Sequence, residues 1–585
     1  ERQANVGGPS SSSTGQRRAR HAGRHTQTHD HKQTPDRQQH VVMSEWWGTI
    51  GRPFADALVS MNVTEIRHAI VNLPYTYYEY IHSIFVRSPE HVIIETFLIV
   101  FVIYITFFKK DRPKRQEVKL TEKEIQELCD EWQPEPIVPP GAKVGKATPI
   151  GVVENKPATH MKLKGIDKPV LNLATFDFLG LGSRKELKDV AVKALTKYGC
   201  GSCGPRGFYG TIDTHEILER DIAAMMGTPD SIIFSDTEAT SSSVLPAFAR
   251  RGDLIVVDEG CNDSILVGAT LARCTAFYYK HNDLEDLERV LKSVRDADRK
   301  AKRGSDCQRR YVVTEALFRN HGDMIDLPKV IALCEKYYFR LFLDESFSFG
   351  VLGQSGRGIT EHYGVKVSDV AIICSSLSAS AAGVGGFSTG SREVVDYQRL
   401  NSAGYVFSAS APPFTSACCS EAIRLMKSEP ELFVTLRTNA HLVHDTLTTA
   451  FKNSPFVISS DRSSPIIHVR LNYEADADAE VDNARRQVFR EICDQVAENC
   501  LAQGIVICSP KYKTNQAFEP LPSIRISITA IHKSAELKDA CKVIADECQR
   551  VAKDKLASLP KPSTTKAEAV ESTTKQRKTR GREEN

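Results

Sequence analysis

The chain has 585 residues, 41% hydrophobic and 25% charged, ordinary for a globular protein and enough for two or three domains with substantial cores. Its 76 Lys and Arg against 73 Asp and Glu leave a formal net charge of +3, too balanced for a nucleic-acid binder built on bulk charge. The 15 cysteines are scattered through core-like stretches, which excludes a short secreted disulfide scaffold and points to a reducing compartment, with the main domain exposed to cytosol.

Residues 1–43 read as a disordered low-complexity tail, too polar to fold, in which His21, His25 and His29 are solvated side chains rather than a metal site. Met43 stands where patterned sequence begins and is the candidate native start. Residues 44–91 mix aromatic and aliphatic side chains with polar ones, which suits a membrane-associated or luminal segment and equally an amphipathic docking helix. Asn62-Val63-Thr64 is a glycosylation sequon within it. Residues 92–108 are apolar except for Glu95 and two threonines, about 25 Å as a helix, and predict a single transmembrane helix. Lys109, Lys110, Arg112, Lys114, Arg115 and Lys119 follow it and only Arg87 precedes it, so the positive-inside rule puts the C-terminal side in the cytoplasm.

Residues 109–165 form a juxtamembrane arm and linker, where Pro134, Pro136, Pro139 and Pro140 preclude a continuous helix. Cys200 and Cys203 form a Cys-x-x-Cys with no second pair or histidines at zinc spacing, so no metal is assigned. β-rich runs at 231–235, 253–258, 275–279, 310–317, 340–344, 370–375 and 386–390 alternate with helix-length or loop segments. This alternation predicts an open α/β sheet with helices on its faces, in a large domain over 166–410. A helical stretch after Pro412-Pro413, short strands at 466–471 and 524–529, and a helix near 536–553 make a smaller α+β domain over 411–557. Residues 558–585 read as a second disordered tail.

Two strings carry the chemistry. LFLDESFSFG (341–350) ends an apolar run in an acidic pair, and CSSLSASAAGVGGFST (374–389) runs a strand into a glycine turn. They resemble the cofactor-binding core of the α-oxoamine synthase family of pyridoxal-phosphate (PLP) enzymes. YGCGSCGPRGFYGTIDTHEILE (198–219), SFSFGVLGQSGRGITEHYG (346–364), YQRLNSAGYVFSASAPP (397–413) and LTEKEIQELCDEWQPEPIVPP (120–140) are similar to the lysine-lacking long-chain-base subunits of serine palmitoyltransferase within that family.

The resemblance implies a PLP-dependent aminotransferase fold of type I, with a seven-stranded, mostly parallel sheet and a smaller C-terminal domain. In such enzymes an aspartate holds the pyridinium nitrogen, and a lysine before the glycine turn bonds the cofactor. Asp344 matches the aspartate, read as vestigial, while the lysine position falls on Ala379, and no lysine occurs between Lys366 and Lys427. Asn262 and Phe347 stand where active members carry histidines. Lys280 is set aside as a displaced lysine because it ends a different strand.

No residue of this chain is therefore expected to be catalytic, and PLP is expected on a lysine-bearing partner subunit. Ser408 and Ser410 match the hydroxyls that reach the partner's cofactor phosphate. Cys203, Gly204, Pro205, Arg206 and Tyr209 match a turn at the shared active site, and Arg525 matches a substrate-carboxylate arginine, read first as a structural ion pair. The implied assembly is a heterodimer in the endoplasmic reticulum membrane, with small regulatory membrane subunits and lipid as further partners. It condenses L-serine with palmitoyl-CoA. A purely regulatory or anchoring scaffold is the alternative.

Overall fold

The computed structural model describes residues 151–556 apart from 156–157, 305–307, 474–478 and 513–517, and ahead of them 89–108, 120–134, 136–137 and isolated positions between 75 and 86. The chain divides into two compact units, with the boundary between Ala147 and Thr148.

In the N-terminal unit the apolar run forms an α-helix at Pro89–Ile103, only 15 residues long, and then passes into a π-helical turn at Tyr104–Phe108. The α-helical part measures about 22 Å, against a hydrocarbon core of about 30 Å. Among the described residues no helix is long and apolar enough to cross a membrane. The expectation of a transmembrane helix at residues 92–108, and with it a single-pass protein of the endoplasmic reticulum membrane, is thereby overturned. The apolar run passes a test of composition, but its α-helix ends at Ile103. The sequon at Asn62, the basic cluster at 109–119 and the low-complexity tails lie outside the described residues. The arm contributes a helix at Glu122–Glu131, started by a capping box. The Thr121 hydroxyl accepts from the Glu124 amide at 3.4 Å, and the Glu124 carboxylate accepts from the Thr121 amide at 2.8 Å.

The second unit opens with β1 (His160–Met161) and β2 (Val170–Asn172). Its main sheet contains β3 (Asp230–Phe234), β4 (Leu254–Asp258), β5 (Thr275–Tyr279), β6 (Arg310–Glu315), β7 (Arg340–Asp344), β8 (Ile372–Ser376) and β9 (Gly386–Gly390). All seven predicted runs become strands, displaced by at most two residues at either end. The order is β3-β9-β8-β7-β6-β4-β5. From β8 to β5 neighbours are parallel, whereas β9 runs antiparallel to both β8 and β3, so the sheet is mixed. Crossover helices cover it. Leu284–Ala301 buries Leu287, Val290, Leu291 and Val294, one face at helical spacing, and Asp283 caps it by accepting from the Glu285 and Asp286 amides.

Beyond the main sheet come β10 (Phe456–Ile458), β11 (Ile466–Leu471), β12 (Ile505–Val506) and β13 (Ser523–Ser527). β10, β11 and β13 form an antiparallel sheet. β12 pairs with β2, which joins the start of this unit to its C-terminal part. Two large hydrophobic cores result, one around the main sheet and one under the helices Glu431–Ala450, Ala479–Ala502 and Ser534–Lys555, with a small third cluster at Met161, Leu163 and Val170. The parallel strands end in polar residues at one edge, Asp258 on β4, Glu315 on β6, Asp344 on β7 and Ser376 on β8. At that edge the pairing brings Glu315 opposite Asp344.

Candidate functional site

Open α/β sheets bind ligands beyond the carboxyl ends of their strands, and a cavity of about 170 Å3 lies there. Asp344, Asn262, Ser346, Phe347, Ser376 and Ser378 are among its walls. The Asp344 carboxylate is buried, accepting from the Ser241 hydroxyl at 2.7 Å and the Ser346 amide at 2.8 Å. Burial pushes its pKa up, while those hydrogen bonds oppose the rise. Glu315 is pushed further, to about 8, by burial and by the negative Asp344 beside it. It accepts from the Asn262 amide at 2.6 Å and the Arg319 amide at 3.1 Å. Asn262 itself caps the helix Asp263–Ala272 by accepting from the Ile265 amide at 3.2 Å. Phe347 packs edge-on against Phe176, with ring centroids 5.0 Å apart. Ala379 is buried in the core of the β8–β9 connection, with its carbonyl accepting from the Phe178 amide at 3.0 Å, while Ser376 and Ser378 just ahead of it line the cavity.

The glycine-rich turn is built as one piece with the segment near 410. Ser410 is buried, and its hydroxyl donates to the Gly210 carbonyl at 2.5 Å; its amide donates to the Gly204 carbonyl at 3.0 Å. A Cβ on Gly210 would sit 1.9 Å from the Gly204 carbonyl oxygen, so only glycine fits there. Arg206 is buried and pairs bidentately with Glu219 at 2.9 and 3.0 Å, its Nε donating to the Thr211 hydroxyl at 3.0 Å. Glu219 in turn accepts from the Ile233 amide at 3.1 Å, tying the turn to β3. Tyr209 takes the left-handed conformation (φ 65°) with its side chain fully exposed. Cys203 is also left-handed (φ 60°), and Cys200 and Cys203 are exposed thiols. Ser408 is half-buried, its hydroxyl 3.1 Å from that of Ser235.

The structure thus gathers Asp344, Asn262 and Phe347 at one place, and Ser408, Ser410, Gly204, Pro205 and Arg206 at another. Arg525 on β13 stacks its guanidinium 4.4 Å from the centre of the Phe176 ring, and Phe176 lines the Asp344 cavity. The expected structural ion pair is not found among the described residues. Among the described residues no carboxylate lies within ion-pair distance of Arg525, and its buried Nε has no hydrogen-bond partner. Burial and the nearby Arg319 lower its pKa. Lys280 is exposed and does not line the cavity. Sequence reasoning missed Glu315, Ser241 and Arg319. Glu315 ends an apolar run as Asp344 does, a signal that was available; Ser241 sits inside a helix of small polar residues and gives none.

Comparison places this geometry in a known class. The family model for aminotransferase class I and II matches residues 168–544, and the mixed seven-stranded sheet is that of PLP-dependent aminotransferases. "Serine palmitoyltransferase 1" of Dictyostelium discoideum is 37% identical over 78% of this chain and 93% of its own length. "Long chain base biosynthesis protein 1" of Arabidopsis thaliana is 37% identical over 77% of this chain and 89% of its own. The chain belongs to the family of these serine palmitoyltransferase 1 and long-chain-base biosynthesis 1 proteins. The serine palmitoyltransferase of Sphingomonas wittichii shares the fold, with a TM-score of 0.59 at 22% identity over 70% of this chain and 93% of that one.

The residues around Asp344 do not fit a covalently held PLP. No lysine lines the cavity, and both Asp344 oxygens already accept hydrogen bonds from this chain. Its volume of about 170 Å3 is below the roughly 300 Å3 at which small-molecule sites begin.

Proposed function

We propose that this chain is a required, non-catalytic subunit of a serine palmitoyltransferase. The complex condenses L-serine with palmitoyl-CoA to 3-ketodihydrosphingosine, CO2 and CoA, the entry to sphingolipid biosynthesis. A lysine-bearing partner subunit holds PLP, which supplies the electron sink for the serine carbanion. The observation that carries the reading is Ala379, a buried methyl group at the lysine position, in a family whose fold the chain otherwise keeps. Asn262 and Phe347 support it, since each is occupied in packing or capping this chain's own elements.

In this reading the turn at 203–210 and the segment at 408–410 face the partner. Ser408 has the hydroxyl best able to donate to the phosphate of the partner's cofactor, because the Ser410 hydroxyl is committed to the Gly210 carbonyl. Arg206 holds the turn in place through Glu219. Arg525 is a cation open to a carboxylate. The test is to purify the chain alone and with a lysine-bearing partner, reduce each with borohydride, and assay serine-dependent condensation. Activity is expected only in the pair, with no reduced PLP adduct on this chain. A stoichiometric adduct on any of its lysines would refute the assignment.

A further inference from the structure

A second cavity, of about 720 Å3, opens at the other edge of the main sheet, where β7 and β8 begin and β9 ends. It has about four times the volume of the cavity beside Asp344 and falls within the 300–1,000 Å3 range typical of small-molecule sites. β7 carries Arg340 at this edge and Asp344 at the opposite one, so the two cavities stand about 13 Å apart along one strand.

Its lining divides by chemistry. Arg309 and Arg340 supply two guanidinium groups, brought side by side because Arg340 pairs with Tyr311, two residues from Arg309. Neither lies within ion-pair distance of a carboxylate among the described residues. Arg309 donates to the Phe248 carbonyl at 3.1 Å, and its guanidinium lies 5.7 Å from the centre of the Tyr397 ring. The acid next to it, Asp253, is taken up by the backbone amides of Arg250 and Arg309, at 2.9 and 3.0 Å. Glu393 is the one acidic side chain in the lining, and it hydrogen-bonds Ser391. The remaining wall is largely apolar, with Val370, Ile372, Val394 and Phe248 contributing. Both guanidinium groups are exposed at the cavity mouth, so an anion can reach them without displacing a carboxylate among the described residues.

We infer that this cavity binds an anionic amphiphile, a single-tailed organic phosphate whose head lies on Arg309 and Arg340 and whose tail lies along Val370, Ile372 and Val394. Guanidinium forks match phosphate oxygens bidentately, and the apolar wall gives the tail a surface that inorganic phosphate cannot use. The site is separate from the Asp344 cavity and stands whether or not this chain is catalytic.

The test is calorimetric titration of the purified full-chain assembly with dodecyl phosphate below its micelle concentration, beside dodecanol, inorganic phosphate and AMP. The expected result is saturable binding of dodecyl phosphate, one per chain, with dodecanol and inorganic phosphate at least about tenfold weaker. The double variant Arg309→Gln/Arg340→Gln should lose at least about tenfold in affinity. Ser368→Glu, an exposed change at the rim, should weaken binding without touching the core. Absent or non-saturable binding would overturn the inference, as would variants that bind like the parent. So would AMP binding more tightly than dodecyl phosphate, which would make the cavity a nucleotide site.

Discussion

Glu315 sits in an environment far from what its letter suggests. Burial and the adjacent Asp344 raise its pKa from 4.5 to about 8, so the folded chain keeps a proton that the unfolded chain releases near 4.5. Its contribution to stability is therefore fully present below pH 4.5 and is lost as pH rises through about 8. Across that window the slope is at most about 1.4 kcal/mol per pH unit for one group. Glu345, raised to about 7 by burial, adds a loss of the same sign. Glu315→Gln cannot ionise; it keeps an acceptor oxygen for one of the Asn262 and Arg319 amides, which bond different carboxyl oxygens, and the loss of the other bond does not depend on pH. Measured by urea unfolding, the stability of the parent relative to this variant is expected to fall by more than about 1 kcal/mol between pH 5 and pH 8. A difference independent of pH would show that Glu315 is not protonated in the folded chain. The sequence made one member of this acidic pair legible, since LFLD closes an apolar run with an acid. RYVVTE does the same, yet only the β6–β7 register reveals that the two acids stand opposite each other. Arg525 shows the same limit. Its strand could be read from alternation, but its neighbours could not, because the expected carboxylate would have come from a distant part of the chain.

The turn at 203–210 illustrates how a segment can be rigid inside and exposed outside. Gly210 admits no side chain, Ser410 and Arg206 brace the turn from within, and Tyr209 holds a strained left-handed conformation with its ring in solvent. Tyr209→Gly should relieve that strain and stabilise the isolated chain by about 0.5–1 kcal/mol. If the exposed ring serves the partner, the same variant should bind the lysine-bearing subunit more weakly. Thermal unfolding and co-purification yield read the two effects separately; unchanged association would remove Tyr209 from the interface. The two serines separate in a similar way. Ser410→Ala leaves the Gly210 carbonyl without its donor and should cost about 1–3 kcal/mol of stability, whereas Ser408→Ala should leave unfolding unchanged and reduce PLP retention by the partner. The reverse pattern would assign Ser410 to the cofactor. The glycine-rich string was legible as a turn because its residue types allow little else, but its bracing was not, since Glu219 reaches back from the helix that follows and Ser410 comes from 200 residues further on. The helix Pro89–Ile103 marks the opposite failure. Composition counts apolar residues along a run and is blind to where the α-helical hydrogen bonding stops.

The strand pattern of the main sheet could be read because each of its runs is apolar and bounded by turn residues, and periodicity needs no distant partner to be visible; the short β1, β2, β10 and β12 went unread. A cofactor site is different, for it depends on agreement among several remote segments. This bears on whether a single substitution could restore PLP binding. Ala379→Lys returns the amine to its place in sequence, but the Ala379 side chain is packed in the core and does not line the Asp344 cavity. Asn262 would still cap its helix, Phe347 would still pack on Phe176, and Asp344 would still be held by Ser241. An amine introduced there enters the hydrophobic core to which Ala379 belongs, and burying it uncompensated costs several kcal/mol. Ala379→Lys is therefore expected to destabilise the chain by at least about 3 kcal/mol and to yield no borohydride-trapped PLP adduct. Ala379→Met, similar in length but uncharged, separates crowding from charge and should lose less, about 1–3 kcal/mol. A stoichiometric adduct on the introduced lysine would mean that one residue alone silences this site, and that Asn262 and Phe347 leave room for the cofactor after all.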